Sequence, residues 1–207
     1  DALRERRQIT ARARAHLGRT GGIVAAMTMR AFAPADESRA QDIYEESFPP
    51  AVRAPWHQIR DHRADEHLLV LIDPDDVVVG LSLIRHLGDT RMTFVRYLAV
   101  DSEQRGRGLG GRLLMSLSSH VISEGYDVLL LDVEKPIGEH ADDDLRRIEF
   151  YRRHGLTLLD VPDYAPPGHG ESGEPVPLLL MGRVLGDGPP LTGAALQDAV
   201  AAVMLHR

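Results

Sequence analysis

The chain of 207 residues contains no cysteine. Disulfide frameworks, thiolate zinc sites and cysteine nucleophiles are therefore excluded. Lysine is nearly absent too: Lys135 is the only one, and arginine carries the rest of the basic charge. A phosphate-binding loop of the GxxxxGK(S/T) type needs a lysine inside it, whereas Lys135 is followed by Pro136. No apolar run approaches the ~20 residues of a membrane helix, so no membrane partner is expected. The first residues lack the apolar stretch of a secretory signal, which makes the cytoplasm the expected location. No HExxH motif occurs, and His57, His62 and His67 recur at a spacing that turns each away from the last on a helix, so no metal is expected. Positive charge is also in deficit: a net charge of -7 argues against a general nucleic-acid partner and suits a cationic small substrate.

What is present reads as one domain with trimmings. Residues 1–26 form a basic extension in which Arg4, Arg6, Arg7, Arg12, Arg14 and Arg19 are opposed only by Asp1 and Glu5. Leu3, Ile9, Ala13 and Leu17 give it a thin apolar stripe, which predicts a helix packed on its own domain or on a partner subunit; an arm for an acidic partner is the sharper alternative. Residues 27–186 carry the main pattern. It begins with a strand over 27–33, a helix from an N-cap at Ser38 to about Phe48, and a second helix over 51–62. Strands over 67–72, 77–86 and 92–100 follow, joined by short polar turns that make them antiparallel. A helix over 109–124 then crosses to a buried-type strand over 128–134, and strand, crossover helix and strand make a right-handed parallel unit. A helix beyond Asp142–Asp144 ends at His154-Gly155, and strands near 156–159 and over 178–184 complete the domain. Residues 187–207 end in an amphipathic helix over 192–205. The fold class is α/β of α+β character: a mixed, mostly antiparallel sheet of about six to seven strands with a parallel central pair, flanked by helices. The Pro- and Gly-rich loop 162–177 is long for a core connection; it is a candidate lid or subunit contact, and a homodimer is compatible with it.

The most informative stretch runs from Tyr97 to Arg112. A short apolar run gives way to a polar turn, a glycine-rich loop and an apolar-periodic helix that starts near Leu109. Glycines let the backbone approach a ligand, and the first helical N–H groups point at it with the positive end of the dipole. Arg105, Arg107 and Arg112 add charge suited to phosphate oxygens. Gly106-x-Gly108-x-x-Gly111 also satisfies the dinucleotide fingerprint, with Asp132 at the expected distance for a ribose-binding acid. A dinucleotide-binding oxidoreductase is therefore an alternative, though a poor one. Five polar residues separate Val100 from Gly106, and the strands upstream pair as hairpins.

Arg105-Gly-Arg-Gly-Leu-Gly110 resembles the Q/R-x-x-G-x-G/A loop of the GNAT superfamily of acetyl-CoA-dependent N-acetyltransferases. The preceding Tyr97-Leu-Ala-Val100 resembles the strand that leads into it. Ile148-Glu-Phe-Tyr-Arg-Arg-His-Gly155 is similar to the family's FYxxxGF helix end, with Leu156 where an aromatic residue is common. The resemblance extends over about residues 29–184. It implies the GNAT fold, in which the central parallel pair is splayed, and coenzyme A as cofactor. The backbone from Arg105 through Gly106, Arg107, Gly108, Leu109, Gly110 and Gly111 would hold its pyrophosphate. Leu98, Ala99 and Val100 would pair with its pantetheine arm.

The same resemblance implies direct attack by an amine on the acetyl carbonyl through a tetrahedral intermediate, with the Leu98 N–H stabilising the oxyanion. Tyr151 matches the family's general-acid tyrosine and would also line the cofactor. Some members carry a basic glutamate on the fourth strand, but Phe94 stands there in this chain. Glu134 is the first candidate as base, with Glu45 and Glu46 behind it. The implied activity is acetyl transfer to a primary amine of a small molecule or peptide. A non-catalytic acyl-CoA sensor of the same fold is the alternative that Phe94 suggests.

Overall fold

The computed structural model describes residues 27–50, 53–162, 164–166, 177–186 and 190–206. The basic extension, the expected start of the second helix at residues 51 and 52, and most of the 162–177 loop lie outside the described residues. Seven strands form one sheet in the order β1-β2-β3-β4-β5-β7-β6. They are β1 (Thr28–Ala31), β2 (Glu66–Ile72), β3 (Val78–His86), β4 (Met92–Val100), β5 (Val128–Glu134), β6 (Thr157–Leu158) and β7 (Leu178–Val184). Every neighbouring pair is antiparallel except β4 and β5. That arrangement removes the dinucleotide alternative, which needs alternating parallel units on both sides of the glycine loop.

Side-chain alternation assigns the helices to faces. Leu81, Leu83, Tyr97 and Ala99 meet Ala40, Ile43 and Tyr44 of α1 (Glu37–Ser47) and Ile59 of α2 (Trp56–Arg60). Further along the same face, Phe94, Leu130 and Leu180 meet Ala199, Ala202 and Val203 of α5 (Gly193–His206). On the other face, Val95, Leu129, Leu131 and Val133 pack on Leu114, Leu117 and Val121 of α3 (Leu109–Ser123) and on Ile148 and Tyr151 of α4 (Ala141–Arg153). Phe94, 1 % exposed, is a core residue under α5, which is a sufficient reason for its character.

Two helix starts differ from expectation. Ser38 lies inside α1; the cap position falls to Asp36, whose carboxylate accepts the Ala33 N–H at 2.7 Å and is paired with Arg30 at 2.6 Å. α2 is short because its chain is claimed before it begins. The Ala54 N–H donates to the Tyr97 hydroxyl at 3.1 Å, the Tyr44 hydroxyl donates to the Ala54 carbonyl at 2.9 Å, and Pro55 caps the helix.

A bulge in β4 shapes the centre of the sheet. Leu83 faces Tyr97 and Ile84 faces Val95, so Arg96 is the extra residue. Its guanidinium reaches the buried Glu66, which also holds Arg85 at 2.6 Å and the Arg63 N–H at 2.9 Å. These contacts hold the Glu66 carboxyl below its usual range, although burial pushes the other way.

At the opposite end of the sheet from the glycine loop, His86 is 8 % exposed, stacked on Tyr126 at 3.7 Å and 4.7 Å from His67. Burial, helped by His67, lowers the His86 pKa from 6.5 to about 4. The unfolded chain therefore takes up a proton near pH 6.5 that the folded chain refuses until about pH 4, and stability is lost as pH falls through that window. Denaturant titrations are expected to give about 1–2 kcal/mol less stability at pH 5 than at pH 7. His86→Gln should flatten that dependence; an unchanged slope would remove His86 as its source.

Candidate active site

β4 and β5 pair only from Met92–Val128 to Val95–Leu131. Beyond that point the Arg96 bulge keeps β4 on β3, while β5 continues to Glu134 in register with β7, so the two parallel strands part. The Asp101 N–H donates to the Val79 carbonyl at 3.0 Å, which identifies these two residues as a hydrogen-bonded pair. Antiparallel ladders alternate, so Ala99 and Tyr97 also turn their backbone groups to β3, whereas Leu98 and Val100 turn theirs toward the opening. Of the three strand residues the sequence singles out, Leu98 and Val100 can pair with a ligand there. Ala99 cannot, because its N–H and C=O belong to the β3 ladder.

The loop after β4 is fastened to α1 at both its first and its last turn. Asp101 accepts from Arg39, the Ser102 hydroxyl donates to Glu46 at 2.8 Å, and Arg105 donates to the Ser47 hydroxyl at 3.1 Å. The Arg105 side chain thus points at α1, leaving its backbone as its contribution to an anion site. Gly106 and Gly108 have φ of 77° and 79°, a left-handed backbone that glycine adopts freely, and a Cβ at either would meet nothing within 4 Å. Gly108 caps α3, and the first helical bond runs from the Arg112 N–H to its carbonyl at 3.2 Å. The N–H groups just before Arg112 have no partner within the helix. Leu109 anchors this start through its side chain, buried with Val79 and Leu113. An open glycine loop, a run of unpaired N–H groups and a strand edge beside them fit a pyrophosphate followed by an amide-bearing arm.

Gly110 and Gly111 do a different job with their missing side chains. A Cβ on Gly110 would lie 3.2 Å from the Phe150 ring, and one on Gly111 would run into His154 Nε2. His154 is held in place by its Nδ1, 2.7 Å from the Phe150 carbonyl. These glycines let α4 approach the start of α3, so Gly111→Ala makes the His154 ring give way at the expense of its bond to the Phe150 carbonyl. Thermal denaturation is expected to show a loss of about 1–3 kcal/mol. The double variant with His154→Ala should recover part of it, and a fully additive pair would refute this packing account.

Three carboxylates are candidate bases from the sequence, and the structure separates them and adds a fourth, Asp132. Glu134 binds Arg147 at 2.7 Å, in a group that includes Asp144. Glu45 is an exposed residue bound to Gln41 and Arg53, and Glu46 is the exposed partner of Ser102. Asp132, on the α5 face of β5 and one residue past the last β4 pair, accepts from the Tyr164 hydroxyl at 2.6 Å. Asp132 and Tyr164 are 32 residues apart in the chain, so no local pattern in the sequence reveals this contact. Tyr151, on the α3–α4 face, is buried, and burial raises its pKa against the pull of Arg147. Among the described residues no three His, Asp or Glu side chains are grouped as metal ligands.

A parted parallel strand pair beside an open glycine loop at a helix start defines a coenzyme A-binding acetyltransferase fold. The sequence pattern of the acetyltransferase (GNAT) family matches residues 37–156, and the chain belongs to that family. It is an acetyltransferase, with acetyl-CoA as cofactor. No curated protein matches it in sequence. Solved structures do match in fold. A protein from Bacteroides thetaiotaomicron assigned to the GNAT acetyltransferases superposes with a TM-score of 0.68 at 24% identity, over 85% of this chain and 95% of that one. The ribosomal-protein-S18-alanine N-acetyltransferase of Escherichia coli gives 0.57 at 16%, over 81% and 99%. An aminoglycoside 6'-N-acetyltransferase solved with coenzyme A gives 0.58 at 18%, over 79% and 99%. No helix among the described residues is long and apolar enough to cross a membrane.

Proposed function

We propose that this chain transfers an acetyl group to a primary amine of a small molecule or peptide, by direct attack without an acyl-enzyme. The observation that carries the proposal is the opening between β4 and β5, into which the Leu98 and Val100 backbone groups turn. When bound, acetyl-CoA supplies a thioester, an acyl group already activated toward amines. The backbone N–H groups from Gly106 to Gly111 would hold its pyrophosphate, and Leu98 and Val100 its pantetheine arm. The Leu98 N–H would donate to the carbonyl oxygen as it gains charge. An alkyl ammonium with a pKa of about 10 must lose a proton first, and the leaving thiolate, with a pKa near 8.5, gains from receiving one. Tyr151 is the proton donor in this reading.

For the acceptor's proton, Asp132 is the better-supported base. Glu134 is held by Arg147 on the side of α4, and Asp132, held by Tyr164, sits where β4 leaves β5, on the face opposite Tyr151. A base and an acid on opposite faces of the opening suit an amine entering from one side and a thiol leaving on the other. A carboxylate there also favours a cationic acceptor. The test is release of free thiol from acetyl-CoA across a panel of amines, with calorimetry for coenzyme A binding. Binding without thiol release from any amine would overturn the proposal. Asp132→Asn is expected to lower kcat about a hundredfold and to remove the acid limb of its pH profile; if the limb survives, Asp132 is not the base.

A further inference from the structure

We infer that Arg147, held between Glu134 and Asp144, is a positioning residue that governs how readily Tyr151 gives up its proton, and that Glu134 acts in the reaction as the counterweight of Arg147. The inference rests on the reading of Tyr151 as proton donor.

The group is assembled by helix geometry. Asp144, Arg147 and Tyr151 stand at i, i+3 and i+7 of α4, which puts them on one side of the helix, with the buried Ile148 between them. That side faces the end of β5, where Glu134 closes the group from the sheet. Arg147 Nη1 lies 2.7 Å from Glu134 Oε2 and 3.6 Å from Asp144 Oδ1. Tyr151 belongs to the apolar cluster to which α3 contributes Leu114 and Leu117, β5 contributes Leu131 and Val133, and β7 contributes Met181. Of the other charged groups on β5, Asp132 lies on the opposite face with Tyr164. Arg147 is therefore the cation that a tyrosinate at position 151 would meet.

The chemistry needs such a cation. As the C–S bond breaks, the Tyr151 O–H proton passes to the thiolate sulfur and a phenolate is left in an apolar cluster. The acceptor's ammonium gives up two protons through the base, one of which restores the Tyr151 hydroxyl, so one acetyl-CoA and one alkylammonium yield amide, free thiol and one net proton, which water carries off. Burial alone disfavours the phenolate, and a neighbouring guanidinium offsets that cost. The strength of the offset depends on what else Arg147 holds. With both carboxylates ionised the group would carry one net negative charge and oppose the phenolate. Burial and the nearness of Glu134 push the Asp144 carboxyl up, against the pull of Arg147. Removing Glu134 would take one negative charge away from beside Arg147; removing Arg147 would leave the carboxylates without their cation.

The two removals therefore act in opposite directions, which a merely structural role would not do. Arg147→Gln is expected to lower kcat about tenfold and to move the alkaline limb of the kcat profile up by about one pH unit. Glu134→Gln should move that limb down by about one pH unit, and Arg147→Lys should leave it near its original place. A second readout needs neither cofactor nor turnover: the tyrosinate absorbance of the free protein, with Tyr151 isolated by subtracting the titration of Tyr151→Phe. Its midpoint should shift in the same two directions. Shifts of the same sign, or none, overturn the inference. So does loss of turnover in Glu134→Gln with an unmoved tyrosinate titration, which would make Glu134 the base. If instead Tyr151→Phe keeps full turnover, it is the donor reading that fails, whatever the titration shows of the coupling between Arg147 and Tyr151.

Discussion

Tyr151→Phe is expected to lower kcat about a hundredfold, the usual scale of one well-placed proton transfer. Affinity for coenzyme A should stay within about twofold. The substitution keeps the ring, which packs among Leu131, Val133 and Ile148 and meets Phe150 edge-on at 5.1 Å, and deletes only the hydroxyl. Folding is therefore little disturbed, and the change falls on chemistry alone. Single-turnover measurement of thiol release is the appropriate assay, because slow product release would mask a lost proton transfer in the steady state. A single-turnover rate equal to that of the unaltered enzyme would remove Tyr151 from the mechanism.

Gly108→Val should abolish coenzyme A binding at concentrations that saturate the unaltered protein. Two costs combine. A β-branched residue at φ 79° is strained by about 1–3 kcal/mol. Its side chain also enters the open space in front of α3, where a Cβ meets no protein atom within 4 Å and a pyrophosphate would sit. Gly125→Val separates the two. Gly125 has φ of 93°, is equally open, and lies just past the other end of the same helix, at the maximum distance α3 allows from the loop. Both variants should lose comparable stability in thermal melts, and only Gly108→Val should lose coenzyme A in calorimetry. Equal loss of binding would mean that helix stability, and not the loop, is what the glycine protects.

Much of the chain was legible as sequence because its signals are local. β4, β5 and β7 fall on the residues that alternation and apolar runs indicate, Met92–Val100, Val128–Glu134 and Leu178–Val184. The glycine loop was equally plain, since an apolar run, a polar turn and a helix stripe with glycines between them have few physical uses. The candidate bases were not legible. Asp132 and Glu134 are two residues apart on one strand, and simple alternation gives them a common face. Their partners, Tyr164 and Arg147, draw them into different groups. Gly110 and Gly111 were read with the phosphate loop, yet Phe150 and His154, about forty residues away in the chain, are what their missing side chains make room for.

The sequence by itself determined the elements, the antiparallel hairpins, the family resemblance and the cofactor, because each follows from a pattern of neighbouring residues. Only the tertiary structure decided where β4 leaves β5. That parting depends on one extra residue, Arg96, in a register that no single strand encodes, and on the Glu66 group that holds it there. The same register turns Leu98 and Val100 to the opening and Ala99 away from it. Packing of α4 against the end of β5 then ties Glu134 to Arg147 beside Tyr151. Charges in the site are thus apportioned by contacts between distant parts of the chain, and contacts of that kind exist only once the sheet and its helices have come together.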